Sequence, residues 1–460
     1  MDNTPEKKIR SVVDQCADCE QCREMMAEVC PFFPKLYQLF DREKDESMPI
    51  TSTDLRELAE LCNFCGLCPC PEIRSRILQA KSGFVRIEGM PLGAKLIQDV
   101  DRAAKYLSRF PGLVNTLIKS RACSSLFKKI LGIHTERSLP EIPADDFPAR
   151  AKKTGLCKKH PDNHVHVEKV AYFAGCASRY FFPEVAKATV RVLRKNRVTV
   201  YYPPQKCCSM PALVEGDASL SLELAGYNLK HMTEILESGY DLVCSCPTCG
   251  YMFKKMIREK AFYSSEYQES AGGDETSMVI PVEDDYSQSN RRKHHRVHRS
   301  LYAGLMKDDG IFSSLNPLAR IKVAQRTFDL GQYLMCLRDA GKMNTAFAPV
   351  SKKIAYYPPC HTREQNTGLP YARLLALIPG LDLRVVEGSY LCCGMGGIMG
   401  LKRKFHKTFL EIAGPLLQKI REMKPDVLVT ECLSCRMQFD HALPFAQAHP
   451  VEILAETYGS

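Results

Sequence analysis

Hydrophobic and polar positions change rhythm in two stretches of the chain, in the same order each time. Over residues 170–245 a short β-rich run, VAYFAG, is followed by the helical pattern FPEVAKATVRVLRKNR, with Pro183 near its start. VTVYYPP, the long amphipathic stretch ASLSLELAGYNLKHMTEIL and a third apolar run, YDLVCS, come next. Over 354–431 the series returns as IAYYPP, YARLLALI, LRVVEG, FHKTFLEIAGPLLQKIREM and DVLVTE. Apolar runs that end in turn residues, alternating with segments of helical periodicity, predict βαβ units and parallel sheets. The stretches align at their cysteines. Cys176 matches Cys360, Cys207-Cys208 matches Cys392-Cys393, and Cys246 and Cys249 match Cys432 and Cys435, at offsets of 184 to 186 residues. So long a period indicates a duplicated domain, not a solenoid. The copies are expected to span 166–263 and 317–460. Their cysteines follow predicted strands, the edge at which open α/β sheets hold ligands.

Residues 1–90 have a different pattern. CADCEQCREMMAEVCP supplies Cys16, Cys19, Cys22 and Cys30, and CNFCGLCPCP supplies Cys62, Cys65, Cys68 and Cys70. A C-x2-C-x2-C core wraps three irons of a cubane, and in two-cluster ferredoxins the proline-followed fourth cysteine ligates the other cluster. That rule assigns Cys16, Cys19, Cys22 and Cys70 to one [4Fe-4S] cluster and Cys62, Cys65, Cys68 and Cys30 to the other. The gap before the last cysteine is seven residues in one motif and one in the other, against a usual three or so. Two zinc sites are the alternative, since zinc also takes thiolates. In each downstream copy five cysteines exceed what one tetrahedral ion binds, and the adjacent pair suggests a polynuclear centre with a bridging thiolate. The expected fold class is therefore α+β and α/β: an α-helical dicluster ferredoxin domain followed by two α/β domains.

Residues 91–165 read as a basic amphipathic linker. Between 92 and 134, Lys95, Arg102, Lys105, Arg109, Lys119, Arg121, Lys128 and Lys129 face only Asp99 and Asp101. Each cation near an anionic membrane contributes about 1 kcal/mol, so peripheral membrane association is one reading and a helical linker packed on the downstream domains is the other. Tryptophan, a common interfacial anchor, is absent from the sequence. Residues 264–316 form a polar insertion that reads as mobile, with a basic block at Arg291–Arg299. That block is either a solvated run or a docking patch.

Composition narrows the class. With 460 residues, 45% hydrophobic and 25% charged, the chain is an ordinary globular protein with a net charge of +10. No apolar run approaches the ~18 residues of a spanning helix, and the start, MDNTPEKKIR, lacks a leader's apolar core. A cytoplasmic protein, peripheral on the cytoplasmic face of the membrane, is expected. In such a compartment 22 cysteines point to metal or redox chemistry, not disulfides. Cys123, Cys157 and Cys336 read as buried small hydrophobes, and Cys244 as a spare thiol or a sixth ligand. GMGGIMG (394–400) lacks the third glycine of a dinucleotide fingerprint and reads as a tight turn. With no P-loop or flavin fingerprint, and no nucleic-acid partner expected, the chain must receive electrons from a partner protein. His361, beside Cys360, is either a proton donor near neutrality or a core histidine.

The two five-cysteine patterns resemble the cysteine-rich CCG domain of heterodisulfide reductases, in their B-type and D-type chains. The order of dicluster ferredoxin and two CCG domains is similar to the iron–sulfur subunits of anaerobic glycerol-3-phosphate dehydrogenases and glycolate oxidases. CHTREQNTGLPYARLLALIPGLDLRVVEGSYLCCGMGG and DVLVTECLSC fit the glycerol-3-phosphate type best, and LGIHTERSLP resembles the group's linker. The resemblance implies one or two further, non-cubane [4Fe-4S] centres on Cys176, Cys207, Cys208, Cys246 and Cys249 and on Cys360, Cys392, Cys393, Cys432 and Cys435. Cys393 and His361 would be the catalytic residues. It implies an electron carrier linking a flavoprotein dehydrogenase partner to a membrane quinone. A disulfide acceptor is the alternative, and a zinc-bound structural adaptor a third reading. Ser209 stands where the second copy has Gly394, so the first copy is the weaker match.

Overall fold

The structure is a computed structural model that describes residues 4–159, 168–282, 294–302, 305–388 and 390–459. The N-terminal part is helical. Helices Pro5–Cys19, Phe32–Asp45, Ser52–Leu61 and Pro71–Glu88 close around Ile9, Val12, Leu36, Leu58 and Ile77. Their ends are written in the sequence. Thr51 and Asp54 form a capping box, and Pro71 opens the last helix at its first position, where a missing N–H costs nothing.

Both copies are parallel α/β units. In the first, β1 (Lys169–Phe173), β2 (Thr199–Tyr201) and β3 (Asp241–Cys244) pair in parallel. An antiparallel hairpin of β4 (Ser277–Pro281) and β5 (His294–His298) follows. β6 (Thr327–Asp329) then completes a sheet of order β2-β1-β3-β6. The second copy has β7 (Lys353–Tyr356), β8 (Asp382–Val385), β9 (Val427–Val429) and β10 (Ala446–Ala448) in the order β10-β9-β7-β8, the same arrangement read from the other edge. Alternation along the central strands divides the core. Val170 and Tyr172 join Ile354 and Tyr356 in one cluster shared by the copies. Ala171 and Phe173 face the Cys207 and Cys208 side, and Ala355 and Tyr357 face Cys393 and Cys435. Each sheet is thus buried on both faces, as parallel sheets are.

Three expectations change. The insertion is structured where described: Ser265–Ala271 is helical, and Gln268 ties it to the hairpin by donating to Val279 O and accepting from Val279 N. Of the basic block, residues 291–293 lie outside the described residues. Cys123 and Cys157 are exposed and Cys336 is only partly buried; in the case of Cys123, the helix Arg121–Ile130 turns Ser124 and Lys128 inward instead. Lys128 consequently leaves the basic surface, its Nζ donating to Thr135 O at 2.9 Å.

Candidate functional site

The N-terminal thiols gather in two sets. Cys16 and Cys19 end the helix Pro5–Cys19, Glu20 turns the chain at φ +51°, and Cys22 sits in the next short helix. Cys70 caps the helix Pro71–Glu88 and returns to this group. Burial pushes the Cys16 thiol up to about 12, and the nearby Cys22, Cys70 and Cys19 add to it. Cys30 lies with the other motif. Burial raises its thiol, with Cys65 and Cys62 contributing. Burial likewise raises Cys68, whose neighbours include Cys62, Cys65 and Cys30. Each proline-followed cysteine is therefore beside the core of the opposite motif. Tyr37 Oη fixes the first set by donating to Cys16 O at 3.1 Å.

Each copy collects its five cysteines after the strand ends. In the first, Cys207 and Cys176 have their sulfurs 4.0 Å apart. Hydrogen bonds from the Cys207 and Cys249 thiols lower Cys208 to about 6. Gly175 lies at φ +69°, and a Cβ there would sit 2.9 Å from Cys249 Sγ, so its bareness keeps room at the thiols. Cys244 is fully buried beside Cys246 and Cys208. In the second copy Cys435 Sγ is 3.0 Å from Cys393 Sγ. Hydrogen bonds from Cys392 and Cys435 hold the Cys393 thiol well below its ordinary value. In both copies the thiol of the second member of the adjacent pair is thus held below its ordinary value. Among the described residues, no three thiols have their sulfurs all within 4.8 Å of one another. Four thiolates on one zinc at ~2.3 Å would lie about 3.8 Å apart. So many gathered thiols are a donor set that iron–sulfur groups use.

The second N-terminal motif is seated against the second copy. Burial raises the Cys360 thiol, and its neighbours begin with Cys65. His361 ties the junction. Its Nε2 hydrogen-bonds Phe64 O at 3.0 Å and its Nδ1 pairs with Thr248 Oγ1 at 2.9 Å. The ring stacks on Tyr251 at 4.7 Å. Burial lowers its pKa to about 4, so the ring is neutral near pH 7, with both nitrogens engaged. Gly66, at φ +84°, packs between Glu364 and Tyr251. The 394–400 turn abuts the same motif, Gly396 lying against Asn63.

Sequence reasoning missed a buried polar seam between the copies. Burial raises Asp329 to about 6 and Glu431 to about 8, with Asp329 contributing to the latter. Tyr356 Oη donates to Glu431 Oε1, and His449 Nε2 hydrogen-bonds Ser245 O at 2.9 Å. Glu431 directly precedes Cys432 in a strand-like run, and that adjacency was the one available signal.

A family model described as the cysteine-rich domain CCG matches residues 170–254 and again 354–440. The chain is a protein with two CCG cysteine-rich domains. Its relatives narrow the class. It is similar to the C chain of the anaerobic glycerol-3-phosphate dehydrogenase of Escherichia coli (strain K12), with 23% identity over 363 residues, 78% of this chain and 76% of that protein. It is also similar to the lactate utilization protein A 2 of Bacillus cereus (strain Q1), 28% identical over 63% of this chain and 98% of that protein. A third relative is the B chain of the fumarate reductase (CoM/CoB) of Methanothermobacter marburgensis, 24% identical over 60% of this chain and 42% of that protein.

Proposed function

We propose that the chain is the iron–sulfur electron-transfer subunit of an anaerobic respiratory dehydrogenase complex. It takes electrons from a flavoprotein partner that oxidises glycerol 3-phosphate or a 2-hydroxy acid and delivers them to a membrane quinone. The observation that carries this reading is the gathering of eighteen cysteines into four sets, two of four and two of five. Cys16, Cys19, Cys22 and Cys70 hold one cubane, and Cys62, Cys65, Cys68 and Cys30 the other. The five cysteines of each copy hold a further centre, with Cys393 at the reactive position of the second. Such groups carry one electron at a time, at potentials set by burial, charge and hydrogen bonds. His361 fixes the separation of Cys65 and Cys360, so the second motif and the second copy are neighbours in transfer. The relatives' names support a dehydrogenase or reductase assembly.

The membrane reading rests on the linker. Leu96, Tyr106, Phe110, Leu113, Leu117 and Leu126 are all exposed, and the helix Pro111–Lys119 buries no residue. These apolar side chains stand among Lys95, Lys105, Arg109 and Lys119, the mixture that seats a helix at an anionic lipid surface. No described helix is long and apolar enough to cross a membrane. Beside the linker a cavity of about 860 Å³ is lined by Phe84, Met90, Leu92, Ile130, Lys81 and Phe405 among others. Lys81 Nζ also donates to Cys62 O and Val214 O, so the cavity wall reaches the second motif. A quinone head group enters there.

Vesicle flotation and quinone turnover test the reading together. Anaerobically prepared protein, reduced with dithionite and freed of excess reductant, is expected to bind vesicles containing anionic lipid and to reduce a menaquinone analogue. Reduced protein that is inert to quinone but is reoxidised by a thiol disulfide would overturn the quinone acceptor and favour disulfide reduction at Cys393.

A further inference from the structure

Every part of the chain contributes to the wall of the cavity beside the linker. The N-terminal part supplies Lys81, the linker Ile130, the first copy Val214 and Glu215, and the second copy Lys402 and Phe405. Two ammonium groups in this wall hang on neighbouring residues. Lys81 is 6% exposed, and its Nζ donates to Cys62 O at 2.5 Å and to Val214 O at 3.0 Å. An ammonium carries three N–H donors. One donor of Lys81 is therefore unused among the described residues, in a buried place where an unmade hydrogen bond is costly.

Val214 is followed by Glu215, whose carboxylate pairs with Lys402 Nζ. The Glu215 side chain is 5% exposed and that of Lys402 22%. Val214 and Glu215 close the helix Met210–Glu215, so one helix end sets both ammonium groups. Lys402 stands near enough to act on the Lys81 charge. Lys404 lines the same cavity, but its Nζ is engaged by Glu60 at 2.7 Å and its side chain is 56% exposed. The wall thus combines an apolar face with two sheltered cationic donors. It suits a ligand with an apolar body and two electron-rich oxygens.

Given the quinone acceptor proposed above, on which this assignment rests, we propose that Lys81 and Lys402 hold the quinone, each donating a hydrogen bond to one carbonyl oxygen. Hydrogen bonds from cations strengthen as those oxygens gain charge. The quinone takes two electrons from the protein's reduced iron–sulfur groups and two protons from water at the mouth, where Arg403 is exposed. Each carbonyl oxygen becomes a hydroxyl, and no bond to the protein forms. Since Lys81 also bonds Cys62 O, the bound ring is one side chain away from the second N-terminal motif.

The test uses the full chain carrying its iron. Binding of menadione, a soluble naphthoquinone, to oxidised protein is measured by equilibrium dialysis, and reoxidation of dithionite-reduced protein by menadione is followed in parallel. Wild type is expected to bind menadione and to reduce it. Binding should weaken about tenfold or more in Lys402→Met, through loss of a charged hydrogen bond, with iron content unchanged. Lys402→Arg, which keeps the charge, should recover most of the affinity. Lys81→Met should weaken binding likewise; if this buried change costs iron, the Lys402 variants decide alone. No binding by wild type, or equal binding by wild type and Lys402→Met, would overturn the site. Menadione that binds as expected but leaves reduced protein unoxidised would uphold the site and overturn the quinone acceptor.

Discussion

The two CCG copies share a topology and five cysteines, yet the chain treats them differently. The second copy has Gly394 after its cysteine pair at φ +73°, and a Cβ there would lie 2.1 Å from Phe409 O. The first has Ser209 in the same left-handed region, at φ +80° and ψ −7°, with its hydroxyl buried and unpaired. Ser209 thus keeps the backbone of the glycine it replaces. Left-handed geometry costs a non-glycine residue roughly 1–2 kcal/mol. The second copy also places His361, where the first has Ala177, against the second N-terminal motif. The first copy's Cys176 instead neighbours Asp101 of the linker, which pairs with Arg179. Duplication preserved the thiols, while the N-terminal helices pack on both copies, through Phe64 and Leu78 on the first and through His361 on the second.

The sharpest way to break this contrast is to exchange the residues after the cysteine pairs. Gly394→Ser forces a Cβ into a carbonyl and is expected to cost the second copy its centre, a loss of about four irons per chain. Iron analysis of anaerobically purified protein reads the change, and unaltered iron would mean that the turn yields. Next in size is His361→Ala, which removes two buried hydrogen bonds and a ring stack. Destabilisation of about 3 kcal/mol is expected, measured by denaturant midpoint. The reciprocal Ala177→His in the first copy should restore none of it.

A smaller effect tests the seam between the copies. Burial lowers His449 to about 3, while the unfolded chain titrates near 6.5. The folded state stays neutral, so this contribution is complete above pH 6.5 and is lost as pH falls toward 3. About 1.4 kcal/mol disappears per pH unit below 6.5. The stability difference between wild type and His449→Gln should therefore shrink by about 1.4 kcal/mol between pH 7.5 and 5.5, and a pH-independent difference would contradict the burial. The smallest expected effect is a gain. Ser209→Gly should stabilise the protein by about 1 kcal/mol through relief of the left-handed strain, seen as a higher denaturant midpoint.

Much of the fold was legible because it is periodic. The central strands and the helices Pro183–Lys195, Ala218–Glu237 and His406–Met423 follow apolar spacing within a few residues. β6 and β10 escaped because Thr-Phe-Asp and Ala-Gln-Ala are edge strands of three residues whose pairing is set by the sheet. The cysteine sets were legible from spacing and repetition. Asp329, Glu431 and His449 were not, since their partners lie far away in sequence. The exposure of Cys123 and Cys157 was misjudged for a related reason: residue type predicts burial only until packing decides which face is covered.

The central claim is that the four cysteine sets hold iron–sulfur groups. Iron, acid-labile sulfide and zinc measured on one anaerobic preparation test it most directly. About 12–16 irons per chain with a matching amount of sulfide are predicted, from three or four four-iron groups. Sulfur-bound zinc with no acid-labile sulfide would contradict the account.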